Sequence, residues 1–177
     1  MRATGIVRRI DDLGRVVIPK EIRRTMRIRE GEPLEIFTNG DGDVIFRKYS
    51  TMNELASCAD KYAEVLFSTI KQPVIVCDRD SVCAAYPSKK KELVGKRISD
   101  ELDEKMRLRE PSVTGDEGIF CLSNYKERAS VVVPVRSAGS SIGCIAVLQG
   151  DGAKRVDEKD ISLLETASKL LGAQTES

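Results

Sequence analysis

The sequence predicts an α+β protein in two parts, and three observations carry that reading. A chain of 177 residues is comfortable for two domains, and 41% apolar residues are enough to fill a core. Residues 1–50 read as short β-branched strands, sharp turns and one brief helix. Residues 51–177 read as helix, two strands, helix, three strands, helix, the order of an antiparallel sheet with helices packed on it. The expected divisions are 1–50, a linker helix over 51–72, and 73–177.

In the first part, Gly5 to Ile10 is β-branched and predicts a strand. Asp11-Asp12-Leu13-Gly14 is a turn, with Gly14 free to take a positive φ. Arg15 to Ile18 predicts a second strand, and Pro19 both ends it and suits the first turn of a helix over Lys20 to Met26. Ile22 and Met26 then share one helix face, with Lys20, Arg23, Arg24 and Arg27 on the rest. Pro33 to Thr38 and Val44 to Lys48 are strands joined by Asn39-Gly40-Asp41-Gly42, a strong hairpin signal.

In the second part, Met52, Leu55, Ala59, Tyr62 and Leu66 form a 3-4 stripe on a helix over 51–70. Val74 to Asp78 is a buried strand that turns at Arg79-Asp80 into Ser81 to Tyr86. Pro87 to Lys91 reads as a basic loop, and Ile98 to Glu110 as a charge-rich helix. Gly118–Leu122, Ala129–Arg136 and Ser141–Leu148 are strands, the last two joined at Ala138-Gly139-Ser140. Asp157 caps a closing helix to Leu171, with Ile161, Leu164, Ala167, Leu170 and Leu171 on one side.

Charge is strongly segregated although the net is only +1. Residues 1–29 carry nine bases against three acids, and residues 30–46 carry five acids and no base. A charge run is usually a solvated face. So dense a cationic segment favours a polyanion partner instead.

Composition narrows the chemistry. The chain has no His, so Ser–His and Cys–His nucleophiles and His-containing zinc sites are excluded. No paired carboxylates or glycine-rich phosphate loop point to catalysis, and neither a cofactor nor a metal site is expected. Cys58, Cys77, Cys83, Cys121 and Cys144 have no C-x-x-C spacing, and most sit in apolar runs. They read as buried, reduced packing thiols; a Cys77/Cys83 redox pair is the weaker alternative. No apolar run reaches 18 residues and the N-terminus lacks an apolar core, so neither a membrane span nor a signal peptide is expected.

About 50 residues with open strand edges and no disulfide make a marginal lone core, which interleaving two copies would remedy. The run Thr4 to Ile28, with Leu13-Gly14-Arg15-Val16-Val17-Ile18-Pro19 at its centre, resembles the AbrB-type swapped-hairpin DNA-binding family. That resemblance implies an N-terminal barrel made by two chains exchanging hairpins. It implies double-stranded DNA as partner, with contacts from Arg8, Arg15, Arg23 and Arg24, and Arg9 where the family usually has a basic residue.

The second part is similar to GAF domains in element order. This implies room for an unidentified small-molecule ligand or, equally, a ligand-free platform. The pairing of the two parts resembles a family of sporulation regulators. It implies a transcription regulator that activates some genes and represses others during endospore formation, cytoplasmic and nucleoid-associated when on DNA. An autoregulating antitoxin shares the N-terminal domain and is the alternative, although antitoxins usually carry a short disordered tail. The two helical stripes of the second part predict a homotetramer of N-terminal homodimers, with a dimer as the alternative if the same two chains satisfy both interfaces.

Overall fold

The computed structural model describes residues 4–49, 56–150 and 155–176. The chain divides into two compact units, residues 1–49 and 50–177.

In the first unit, α1 (Lys20–Thr25) follows the buried Pro19. β1 (Leu34–Thr38) and β2 (Val44–Lys48) form a two-stranded antiparallel hairpin, with Ile36 opposite Phe46. The Asn39 side chain holds its turn by accepting the N–H groups of Asp41 and Asp43 at 3.2 and 2.8 Å. This is the Asx geometry that the Asn-Gly-Asp-Gly run favours.

The strands expected over Gly5–Ile10 and Arg15–Ile18 are not formed. These segments flank a tight loop in which the Asp11 N–H donates to the Arg15 carbonyl at 3.1 Å. β-branched residues favour an extended backbone, but a strand also needs a neighbour to bond, and one copy of the chain supplies none there. Val7, Ile10, Leu13 and Val17 are accordingly 69–84% exposed. The barrel is therefore not closed within one chain.

The second unit is built on one antiparallel sheet in the order β4-β3-β8-β7. Its strands are β3 (Val74–Asp78), β4 (Val82–Tyr86), β7 (Arg128–Ser137) and β8 (Ser140–Leu148). Two short strands, β5 (Ser112–Val113) and β6 (Ile119–Phe120), pair in succession with β7. β5 was not expected, and β6 is shorter than the anticipated Gly118–Leu122. Pro134 lies in β7 beyond the stretch that β5 and β6 pair, where the outer edge needs no donor.

Both faces of the sheet are covered, which explains the continuous apolar runs. Val74, Val76, Val133, Ile145 and Val147 pack beneath α2 (Ala56–Ile70) and α4 (Glu158–Ala173). Ile75, Cys77, Cys144, Ala146 and Leu148 face the other way, toward α3 (Asp100–Met106) and its flanking loops.

α4 starts as anticipated. Asp157 accepts the N–H groups of Lys159 and Asp160, and the Asp160 carboxylate accepts the Asp157 N–H in return. The Ala138-Gly139 turn between β7 and β8 has φ of 46° and 79°, both positive, as a two-residue hairpin requires.

Four other expectations are corrected. The helix predicted over Ile98–Glu110 is only Asp100–Met106. Ile98 bridges to Leu122, Ser99 caps the helix by accepting the Leu102 N–H, and Pro111 disfavours a helical Glu110. The basic loop is a 3-10 helix over Ser88–Leu93 that buries Leu93. In the α2 stripe, Ala59 and Leu66 are buried against this chain's own sheet, while Met52 and Leu55 lie outside the described residues. Leu170 does not join Leu164, Ala167 and Leu171 in the core; it is 55% exposed.

Candidate nucleic-acid interface

The candidate arginines all lie in the first unit and all are exposed. Arg23 and Arg24 are neighbours in the last turn of α1, a helix with no buried residue. Positive charge there complements the negative helix end. Met26, expected on an apolar face with the half-buried Ile22, is 59% exposed.

A Schellman motif stops the helix just beyond these arginines. The Ile28 N–H donates to the Arg23 carbonyl at 2.8 Å, and the Arg27 N–H to the Arg24 carbonyl at 3.2 Å. Arg27 takes the left-handed position with φ of 51°, where glycine is usual. Its carbonyl accepts the Lys48 Nζ at 2.9 Å, which ties the end of α1 to β2. The Arg23 and Arg24 backbones are thus fixed while their guanidinium groups extend into solvent.

Arg8 and Arg9 are adjacent on the extended segment, and Arg8 Nη1 donates to the Val7 carbonyl at 3.0 Å. Arg15 closes the Asp11–Arg15 loop, in which Gly14 has φ of 77°. Asp11 Oδ1 accepts the N–H groups of Leu13 at 3.1 Å and Arg15 at 2.7 Å. Asp11 Oδ2 accepts Arg15 Nε at 2.8 Å. The Arg15 N–H and its guanidinium hold the Asp11 carboxyl below its ordinary range. Asp11 and Lys48 escaped the sequence reading as contributors to this surface, and Arg27, read there only as a charge, contributes its left-handed backbone and its carbonyl. The readable signal for Asp11 was its spacing from Gly14, which favours an Asx-type loop.

The second unit carries charge of a different kind. Lys90 pairs with Glu127 at 3.2 Å, and the Arg128 guanidinium stacks 4.0 Å from the Phe120 ring centroid. Lys90, Glu127 and Arg128, with Pro73, Lys126 and Gln149, line a cleft of about 670 Å³ at one end of the sheet.

Three of the five thiols lie in the core, while Cys58 and Cys83 are half-buried. Cys77 stands opposite Cys144 on adjacent strands, and Cys77, Cys121 and Cys144 are all buried. The Cys144 thiol beside it and complete burial push the Cys77 thiol far up. Burial does the same for Cys121, and burial with the nearby Asp78 charge pushes Cys83 up to about 12. A thiol at that value is thiolate to only about one part in ten thousand at pH 8. In native protein at pH 8, Ellman's reagent is expected to react rapidly with about one thiol, Cys58, and with all five in urea. Rapid native release of three or more would contradict these buried, protonated thiols.

Comparison with known proteins places both units. The family model described as the C-terminal, transcription-factor part of stage V sporulation protein T matches residues 54–176. The model described as the bacterial antitoxin MazE, for antidote–toxin recognition, matches residues 7–52. Stage V sporulation protein T of Bacillus subtilis is 44% identical over 179 residues, covering 99% of each chain. The transition state regulatory protein AbrB of the same organism is 55% identical over 49 residues, 28% of this chain and 50% of that one. The second GAF domain of DevS from Mycobacterium smegmatis shares the fold of the second unit. Its TM-score is 0.53 at 14% identity, over 68% of this chain and 92% of that one. Matched over 99% of its length by a relative at 44% identity, the chain belongs to the stage V sporulation protein T family of transcription factors.

Proposed function

We propose that the first unit binds double-stranded DNA as a homodimer through Arg8, Arg9, Arg15, Arg23 and Arg24, and that the chain acts as a regulator in the cytoplasm rather than as an enzyme. The observation that carries this is the set of exposed guanidinium groups on backbone that the loop and the helix stop hold in place. Arginine remains charged at any assay pH and offers two parallel donors to a phosphate or to a guanine edge. α1 has six residues, too few to lie along a major groove as a recognition helix does. Phosphate contacts then supply most of the affinity, and a few side chains reach bases. The antitoxin reading has the family match over residues 7–52 in its favour. Against it stands the sheet-based unit that follows, where antitoxins usually carry a disordered tail.

The test is fluorescence anisotropy of full-length protein with a labelled mixed-sequence duplex across a salt series. If about six phosphates are met per dimer, log K against log salt falls with a slope near −5, at roughly −0.9 per phosphate. A flat salt dependence defeats the proposal.

Assembly follows from what one chain leaves exposed. Val7, Ile10, Leu13 and Val17 give a second copy an apolar surface to cover, which supports the exchanged-hairpin dimer. In the second unit Val65 on α2 and Leu170 on α4 are 61% and 55% exposed, and they support a further helical contact that makes a homotetramer. Light scattering is expected to give a tetramer for the full chain and a dimer for the Val65→Asp/Leu170→Asp variant. A full-length dimer, or a tetramer unmoved by those changes, overturns the helical contact. Leu66 is unsuitable for this test, because Leu66→Asp would place a charge in the core. A small-molecule ligand of the second unit would find space in the cleft at Lys90, Lys126 and Arg128, because the face of the sheet toward α3 is filled by side chains.

A further inference from the structure

We infer that Asp11 is a positioning residue for DNA binding: its carboxylate aims Arg15 at the duplex, so this acidic side chain strengthens the binding of a polyanion. The inference rests on the proposed DNA reading of Arg15 and deepens it.

The two oxygens of Asp11 divide the work. Oδ1 is occupied by the Leu13 and Arg15 N–H groups and fixes the loop backbone. Oδ2 takes Arg15 Nε at 2.8 Å and fixes the side chain. The loop is closed again by its own backbone, Asp11 N–H to the Arg15 carbonyl at 3.1 Å and Gly14 N–H to the Asp11 carbonyl at 3.0 Å.

Engaging Nε leaves the Nη1/Nη2 edge of Arg15 directed away from Asp11, with the side chain 70% exposed. That edge is left able to make two parallel bonds to a phosphate or to guanine O6 and N7. A flexible arginine loses rotamer freedom when it is ordered on a ligand; one already held by its Nε loses less. An exposed ion pair adds little to folding, so stability does not account for this one.

Charge and positioning predict opposite signs for one substitution. Asp11→Asn removes a negative charge beside the proposed DNA face, so charge alone tightens binding and steepens the salt slope. The asparagine oxygen still accepts the Leu13 and Arg15 N–H groups, so the loop survives. Its amide nitrogen meets Nε donor to donor, so the aim is lost.

Positioning therefore predicts binding about three- to ten-fold weaker, with a shallower salt slope. The experiment uses full-length wild type, Asp11→Asn, Arg15→Ala and the double variant, each on a fluorescein-labelled 30-base-pair mixed-sequence duplex over a salt series. Far-UV circular dichroism and melting temperatures verify that the fold is kept, and Asp11→Ser serves as a second variant that retains a loop acceptor but cannot reach Nε.

Support is a loss for Asp11→Asn in the wild-type background and no loss in the Arg15→Ala background. Tighter or unchanged binding by both Asp11 variants while Arg15→Ala weakens it overturns the inference and leaves the DNA reading standing. An equal loss for Asp11→Asn in both backgrounds also overturns it, because the effect then does not pass through Arg15. Failure of wild type to bind the duplex in a salt-dependent way removes the underlying DNA reading, and the inference with it.

Discussion

Gly172→Ala is expected to destabilise the second unit by about 3 kcal/mol, against the usual direction of such a change. In an exposed helix, alanine in place of glycine stabilises by about 1 kcal/mol. Gly172 lies in the last turns of α4, buried, and its φ is not in the left-handed region. A Cβ built there meets the Arg136 carbonyl oxygen at 2.0 Å, where a normal contact is about 3.3 Å. The obstacle is backbone in β7, which pairs with β8 and carries α4 on its face. Neither can shift by more than an ångström without disturbing the Val133, Val135, Leu164 and Leu171 packing between them. Steric cost thus exceeds the helix-propensity gain. Urea denaturation followed by circular dichroism reads the effect. Gly40→Ala is the control, since nothing lies within 4 Å of its Cβ and its φ is not positive. Equal stability of Gly172→Ala and wild type would show that α4 does not sit this close to the sheet.

That close approach illustrates which parts of the fold could be read from residue order. Local rules located what local chemistry decides: the Asp157 capping box, the Asn39 turn, and the apolar runs of β3, β7 and β8. They failed where a distant partner decides. Gly5–Ile10 and Arg15–Ile18 have strand composition, yet a strand exists only beside another one. Ile98 looks helical by its neighbours, but its N–H is taken by the Asp80 carbonyl, 18 positions earlier. Leu170 fits a 3-4 spacing and still points outward, because Leu164, Ala167 and Leu171 already set the buried face.

The arginines of the candidate interface were legible as charge. Asp11 was legible only as a turn residue, because an acid in a basic segment registers as a subtraction from net charge rather than as a support for Arg15.

The paired variant Arg23→Ala/Arg24→Ala is expected to weaken DNA binding by roughly a thousand- to ten-thousand-fold near 0.1 M salt. The size follows from copy number. In a homodimer two substitutions remove four guanidinium groups. Each phosphate that no longer meets a guanidinium keeps about 0.9 counterion on the duplex, worth just under one decade at 0.1 M salt. The slope of log K against log salt should therefore become shallower by about 3.6, and what remains of it is carried by Arg8, Arg9 and Arg15. Folding should survive. α1 buries none of its residues, and alanine is the better helix former. The Schellman motif uses the backbone carbonyls of Arg23 and Arg24, which alanine also supplies. Weaker affinity with an unchanged circular dichroism spectrum and an unchanged oligomer mass then reports the side chains alone. If affinity falls with no change in slope, these arginines do not meet phosphates, and bonding to base edges explains the loss. Should neither affinity nor slope change, α1 faces away from the duplex and the interface must be sought among Arg8, Arg9 and Arg15.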